Sequence, residues 1–252
     1  MQIFESPESQ LNRCIFVGPS LRGVGLDRTI MRFGPAQLGS VYLAAKSGYN
    51  VIGLVDANFG NVPTVWHKEI LYAIGRGCVV YGSSSAGALR AAELHTYGMH
   101  GIGLCYRLYR AGVITDDDEV AVLHGDASTN YVQFTEPLIN ARLTFRKLRR
   151  NGFLTVNQEV EIITRLKTIH FSERAFSEYG RALTSVFDSS EGDRIHPLLK
   201  SHYRDIKKED ARQLVYHLLN SPSSCSNSGF FLRTSHWRHQ FEERESDLKP
   251  LQ

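Results

Sequence analysis

The sequence has little that would staple a chain together or anchor it in a membrane. Its four cysteines, Cys14, Cys78, Cys105 and Cys225, are scattered, with no CxxC or CxxxH spacing. No disulfide framework is called for, the spacing argues against structural zinc, and free thiols in a reducing compartment are the expectation. Charge of one sign is also lacking: 29 Lys and Arg against 26 Asp and Glu leave a formal +3. That balance is too small to make nucleic acid a partner. No stretch approaches the ~18 consecutive apolar residues of a membrane helix. Met1 to Asn12 lacks the basic start and apolar run of a secretory signal, so a cytoplasmic protein without membrane contact is expected. No internal repeat is present, and 252 residues suffice to bury a core unaided.

What the first half does have is an alternation of short apolar runs with helical patterns. Cys14–Val17 runs into Gly18-Pro19-Ser20, Val51–Val55 into Asp56, and Cys78–Tyr81 into Gly82 and a run of serines. Apolar runs that end on turn residues and alternate with helices are the rhythm of βα units on a parallel sheet. The intervening helices are expected from Pro35 to Gly48, from Asn61 or Pro63 through Ile74, from Ala86 to Tyr97, and around Cys105 to Ala111. Glu119–Leu123 reads as a further strand ending at His124-Gly125.

Beyond Pro137 the pattern turns helical, over Leu138–Arg150, Asn157–Ile169, Ser172–Val186, Pro197–Tyr203 and Glu209–Leu219. From Ser221 the chain reads Ser-Pro-Ser-Ser-Cys-Ser-Asn-Ser and ends charged, too poor in apolar residues to order itself. The expected fold is α/β, a parallel sheet with flanking helices over 1–136, a helical region over 137–220 and a disordered tail over 221–252.

The stretch from Val79 to Glu93 carries the chemistry: an apolar strand enters a turn of small residues and continues directly as a helix. Such a turn lifts a serine hydroxyl above the strand ends, beside helix N–H groups able to hold an oxyanion. Ser85 is the expected nucleophile, between Ser83 and Gly87, although an elbow usually has glycine where Ser83 stands. The bland alternative is a serine cluster that caps the helix. A base must come from histidine, and His124 at a strand end is preferred over His67 and His95. The Ser-Ala-Gly turn with a histidine downstream is similar to that of peptidase E and cyanophycinase-like enzymes. The group that orients the histidine stays open among Glu93, Asp126 and the acidic run 116–119.

Strand ends of a parallel sheet share one edge, so Gly18-Pro19-Ser20, Asp56, Ser84, Ser85 and His124 should meet there. Arg90 and Glu69 are further candidates for binding at that rim. Asp56, His67 and Glu69 also permit a metal reading as the lesser alternative; neither metal nor cofactor is expected. Arg142, Arg146 and Arg150, with Lys147 and Arg149 beside them, form a basic face that is either solvated or holds an acidic partner.

Taken in order, Ile15 to Ser20, Ile52 to Asp56, Val65-Trp66-His67-Lys68-Glu69-Ile70-Leu71, Gly82 to Glu93, Tyr97-Gly98-Met99-x-Gly101-x-Gly103 and Asp117 to His124 resemble the TfuA-like family. The resemblance spans about residues 14 to 126. Two departures stand out: Gly39-Ser40 where the family tends to have Gly-Asp, and Ala57 after Asp56 in place of glycine. The resemblance implies a role beside a YcaO-family protein that thioamidates a peptide backbone, in natural-product biosynthesis or on a cellular protein. It implies as partners a ubiquitin-like sulfur-carrier protein and a precursor peptide. Under that reading Ser85 attacks the carrier's thiocarboxylate, His124 shuttles the proton, and sulfide leaves. The alternatives are a non-catalytic scaffold or allosteric activator, and a serine peptidase or amidase.

Overall fold

The computed structural model describes residues 12–58, 62–221 and 231–251. Asn61, Cys225 and nearly all of the N-terminal stretch read above lie outside the described residues.

Five parallel strands form the sheet: β1 (Arg13–Phe16), β2 (Ile30–Phe33), β3 (Val51–Leu54), β4 (Val79–Ser83) and β5 (His100–Ile102), in the order β2-β1-β3-β4-β5. The helices α1 (Ser40–Lys46), α2 (His67–Gly75), α3 (Ala86–Leu94) and α4 (Gly103–Arg110) alternate with them. This is one of the two common doubly wound orders, and its switch point lies between β1 and β3, where the chain turns back across the sheet. The α/β reading therefore holds. β2 and β5 are additions to the expected strands.

Strand alternation assigns side chains to two faces. Cys14, Phe16, Ile52, Leu54 and Val80 point to the face covered by α1 and α2. Ile15, Val17, Val51, Val55, Val79 and Tyr81 point to the other. In a doubly wound sheet a helix after β1 would cover that second face, but the connection from β1 to β2 holds only a short 3-10 turn, Pro19–Leu21. The gap is filled from far along the chain by α10 (Ile206–Leu219), which buries Ala211, Leu214 and Leu218 there.

Before α10 come α5 (Leu138–Arg150), α6 (Val156–Thr168), α7 (Phe176–Thr184), α8 (Ser189–Ile195) and α9 (Leu198–His202). These five surround a core of their own, with Phe145, Leu148, Ile162, Leu166 and Tyr179 at its centre. The last helix of the region read as separate thus belongs to the α/β core.

Three expectations are corrected. Glu119–Leu123 is not a strand: a 3-10 turn covers Asp117–Glu119, and His124 makes only an isolated bridge to Gln133. Its apolar run is buried because Val120, Ala121 and Val122 lie over the sheet's C-terminal edge. The second helix starts at His67, after a loop rather than at Pro63. The end of the chain carries a helical stretch over residues 235–243, whose Trp237 and Phe241 are fully buried against Tyr42 and Tyr72 of α1 and α2. The polarity of the serine run had hidden two aromatic residues one helical turn apart.

Candidate functional site

The turn from β4 into α3 sits at the carboxyl edge of the sheet, beside the switch point. Ser84 has φ 66, a left-handed conformation that a residue with a Cβ adopts only under constraint. The Ser85 N–H donates to Ser83 O at 2.8 Å, closing a three-residue turn around Ser84. The strain of the elbow thus falls one residue before Ser85, and Gly82 stands two residues before Ser84. Ser85 becomes the N-cap of α3. The helix then passes so close to β3 that a Cβ on Gly87 would lie 1.8 Å from Leu54 O, which is why the turn needs glycine there.

Ser85 is only 2% exposed, and its hydroxyl donates to Val120 O at 3.4 Å. Ser84 is wholly buried and donates to Ser20 Oγ at 3.1 Å. Ser20 in turn donates to Asp56 Oδ1 at 2.7 Å, while Asp56 Oδ2 accepts the N–H groups of Gly18 and Ser20 at 2.9 and 3.0 Å. Pro19 opens the short 3-10 turn that aims those amides at the carboxylate. Gly18, Pro19, Ser20, Asp56, Ser84 and Ser85 do converge, as parallel topology requires. Gly18, Ser20, Asp56 and Ser84 bond one another in a closed network across the β1–β3 switch point, and Ser85 stands beside it, bonded to Val120 O.

Lys207, from the second position of α10, joins them. Its Nζ donates to Val120 O at 2.7 Å, the same oxygen that accepts from Ser85, and lies 3.9 Å from Asp56 Oδ1. Sequence reasoning missed it by starting this helix at Glu209, two residues beyond it. The signal was available: positions 207, 211, 214 and 218 share the α10 face that holds Ala211, Leu214 and Leu218.

The histidines lie elsewhere. His124 Nδ1 is 2.7 Å from Gly125 O, which leaves Nε2 as its basic nitrogen if Nδ1 carries the proton. The ring lines a cavity of about 370 Å³ with Phe16, Phe33, Asp126 and Tyr131. Neither Ser84 nor Ser85 lines it, and no hydrogen bond joins His124 to a serine among the described residues. Asp126 caps its own turn, accepting from the Ser128 and Thr129 amides. Glu93 does orient a histidine, but it is His67, at 2.8 Å, and Arg90 donates to the same carboxylate oxygen at 2.7 Å. Burial would raise the Glu93 carboxyl, and the hydrogen bonds from His67 and Arg90 outweigh it and hold it below its ordinary value.

Glu69 serves α1. Fully buried, it accepts the N–H groups of Trp66 and Gly39 on one oxygen and those of Val41 and Tyr42 on the other, at 2.8 to 3.3 Å. One carboxylate thereby ties the starts of α1 and α2 together and supplies the capping that Gly39, the N-cap of α1, has no side chain to make. Burial pushes its carboxyl up to about 7 against those four donors. With Glu69, His67 and Asp56 each committed to different partners, the metal reading of that trio fails. Among the described residues no cluster of three His, Cys, Asp or Glu is placed to hold a metal ion.

The basic face on α5 also closes on the chain itself. Arg142 holds Glu119 with two bonds of 2.9 and 2.6 Å, and Arg146 and Arg149 both reach Glu159 of α6. For Arg142, Arg146 and Arg149 the acidic partner is intramolecular; Lys147 and Arg150 make no ion pair among the described residues. Arg142 so fixes the segment that carries Val120 over the serine turn.

Among the described residues no helix is long and apolar enough to cross a membrane. No curated protein matches the chain. The family model described as TfuA-like protein matches residues 56–175, from the carboxylate at the switch point, through the serine turn and the segment over it, into the helical region. Over that stretch, just under half of its length, the chain matches the TfuA-like family.

Proposed function

We propose that the protein is an accessory partner of a YcaO-family enzyme in peptide backbone thioamidation, and that it releases sulfide from a thiocarboxylated, ubiquitin-like carrier protein. The observation that carries this reading is the β4–α3 turn: left-handed at Ser84, with Ser85 at the mouth of α3 and on the carboxyl edge of the sheet.

A thiocarboxylate is an acyl group whose sulfur leaves as hydrosulfide once it is protonated, and the step asked of the protein is acyl transfer. The Ser85 oxygen bonds to the carbonyl carbon, its proton passes to a base and from the base to the sulfur, and the carbon–sulfur bond breaks to give hydrosulfide and a seryl ester. Water then adds to the ester carbonyl, the serine oxygen leaves with a proton, and the carrier departs as a carboxylate. The first amides of α3 lack intrahelical partners. The N–H of Ala86, next after Ser85, is the donor placed for the oxyanion of both steps. Substrate reaches Ser85 only when the segment carrying Val120 moves aside, because that segment covers the hydroxyl.

The depth of Ser85 favours a second reading, in which the protein has no chemistry of its own and acts on the YcaO enzyme by contact alone. Thioamide formation measured with either free sulfide or the thiocarboxylated carrier separates the two. The hydrolytic reading expects Ser85→Ala to fail with the carrier and to recover with free sulfide. Equal performance of that variant with both sulfur sources sinks the hydrolytic reading and leaves the scaffold.

A further inference from the structure

Among the described residues two cations are buried, and they are treated differently. Arg174, wholly inaccessible, makes four hydrogen bonds, to Leu166 O, Ile169 O, Asp118 O and Asp118 Oδ2, at 2.9 to 3.3 Å. That is how a buried structural cation is accommodated: desolvation is offset only by near-complete pairing. Lys207 is 2% exposed and makes one hydrogen bond, to Val120 O. Its nearest carboxylate oxygen, on Asp56, lies at 3.9 Å, beyond hydrogen-bond reach. Asp56 has no need of it, being satisfied by Gly18 and Ser20.

Lys207 also sits in the first turn of α10, where the helix dipole opposes a positive charge. An ammonium with three donors, one partner and the positive end of a helix beside it is poorly served. A neutral amine, with a lone pair to offer, is served well. The two donors that share Val120 O are this amine and the Ser85 hydroxyl.

We infer that Lys207 is the proton acceptor for Ser85, the two forming a serine–lysine pair closed over by the carbonyl of Val120. The inference rests on the hydrolytic reading above and replaces the histidine expected there. Serine–lysine pairs are an established variant of the serine–histidine arrangement. When the Val120 segment lifts, both groups lose their shared acceptor together. The Ser85 O–H is then free to donate to the amine as its oxygen attacks. The ammonium passes that proton to the departing sulfur, which leaves as hydrosulfide; the amine, neutral again, takes a proton from the attacking water and returns it to the serine oxygen as the ester breaks, so the cycle closes without a further acid or base. Burial drives the Lys207 amine below its ordinary value, while Asp56, Cys105, Asp205 and Glu136, which face it from β3, α4, the start of α10 and the approach to α5, pull the other way.

The test uses a fluorophosphonate probe on the full chain, with the modified residue located by peptide mass and folding checked by thermal melts. The wild type is expected to label on Ser85, faster as pH rises and the amine loses its proton. Lys207→Met is expected to lower the labelling rate by about 100-fold or more, the scale of a lost general base. Lys207→Arg keeps a cation in place but cannot give up its proton, so it is expected to fail equally; a merely structural ion pair would survive that change. If methionine unfolds the protein, the arginine variant and the wild-type pH profile carry the test. Absence of labelling in the wild type, labelling of Ser84 alone, or a folded Lys207 variant labelled at the wild-type rate each overturns the inference. Sulfide release lost in Ser85→Ala but unchanged in Lys207→Met removes the lysine only and leaves the hydrolytic reading standing.

Discussion

Glu69 offers the sharpest separation of structure from function. Replaced by alanine, it leaves four N–H groups without an acceptor, those of Gly39, Val41 and Tyr42, which are buried, and that of Trp66, which is part-buried. An unsatisfied buried donor costs roughly 1–3 kcal/mol. Four of them at the low end already sum to about 4 kcal/mol, against a total stability of about 5–15 kcal/mol for a typical domain. At about 2–4 °C per kcal/mol for a chain of this size, Glu69→Ala is expected to melt roughly 10 °C or more below the wild type. Glutamine keeps one carbonyl oxygen and turns an NH2 group toward the other pair of donors, so two bonds survive and two are lost. Glu69→Gln should therefore fall about midway between alanine and wild type in urea or thermal melts. Two results would refute the reasoning: an alanine variant within about 1 kcal/mol of wild type, or a glutamine variant that melts as wild type yet loses function. The second would return Glu69 to the functional rim.

Other perturbations follow the same logic. Ser84→Gly removes left-handed strain worth about 1–2 kcal/mol and forfeits the hydrogen bond to Ser20 Oγ. It should match or slightly exceed wild-type stability in melts, whereas Ser84→Ala, which keeps the strain and loses the bond, should fall below both. Arg142→Ala strands the buried Glu119 carboxylate and should cost about 3–5 kcal/mol, with faster proteolysis of the segment around Val120. Glu136 is pushed up to about 7, chiefly by burial, with the Asp205 carboxylate adding and the Tyr203 hydroxyl opposing. A raised folded-state value means its contribution is complete at low pH and is lost as pH rises from about 4.5 through about 7, on the order of 2–3 kcal/mol. Urea melts at pH 5 and 7.5 should show that loss in wild type, and a smaller one in Glu136→Gln.

Legibility in the sequence followed the range over which a residue's environment is set. β1, β3 and β4 were readable because each is a run of apolar residues stopped by Gly or Asp, a local signal. β2 was not, since Met31 and Arg32 in its middle are only partly covered or exposed, and β5 is three residues with a glycine at the centre. The run at 119–123 misled because burial alone does not make a strand: Glu119 to Val122 are covered without pairing into the sheet, and Leu123 is exposed. The serine turn was visible from its small residues, but the position of its strain was not, because Ser83, Ser84 and Ser85 are chemically identical and only the path of the backbone tells them apart. Lys207 was the deepest omission. The apolar face of α10 tells that Lys207 is covered, but what covers it depends on α10 crossing back to the sheet from the far side of the helical region, more than 120 residues after the serine it meets.

The claim on which the functional account rests is that the hydroxyl of Ser85 breaks a carbon–sulfur bond. Its most direct test is the rate of sulfide release from a synthetic peptide thiocarboxylate, followed with a sulfide-trapping dye, for wild type and Ser85→Ala under conditions where both are folded. The account predicts release by the wild type and a loss of about 1,000-fold or more in the variant, the scale of a missing nucleophile. Release by Ser85→Ala within a few-fold of wild type would contradict it.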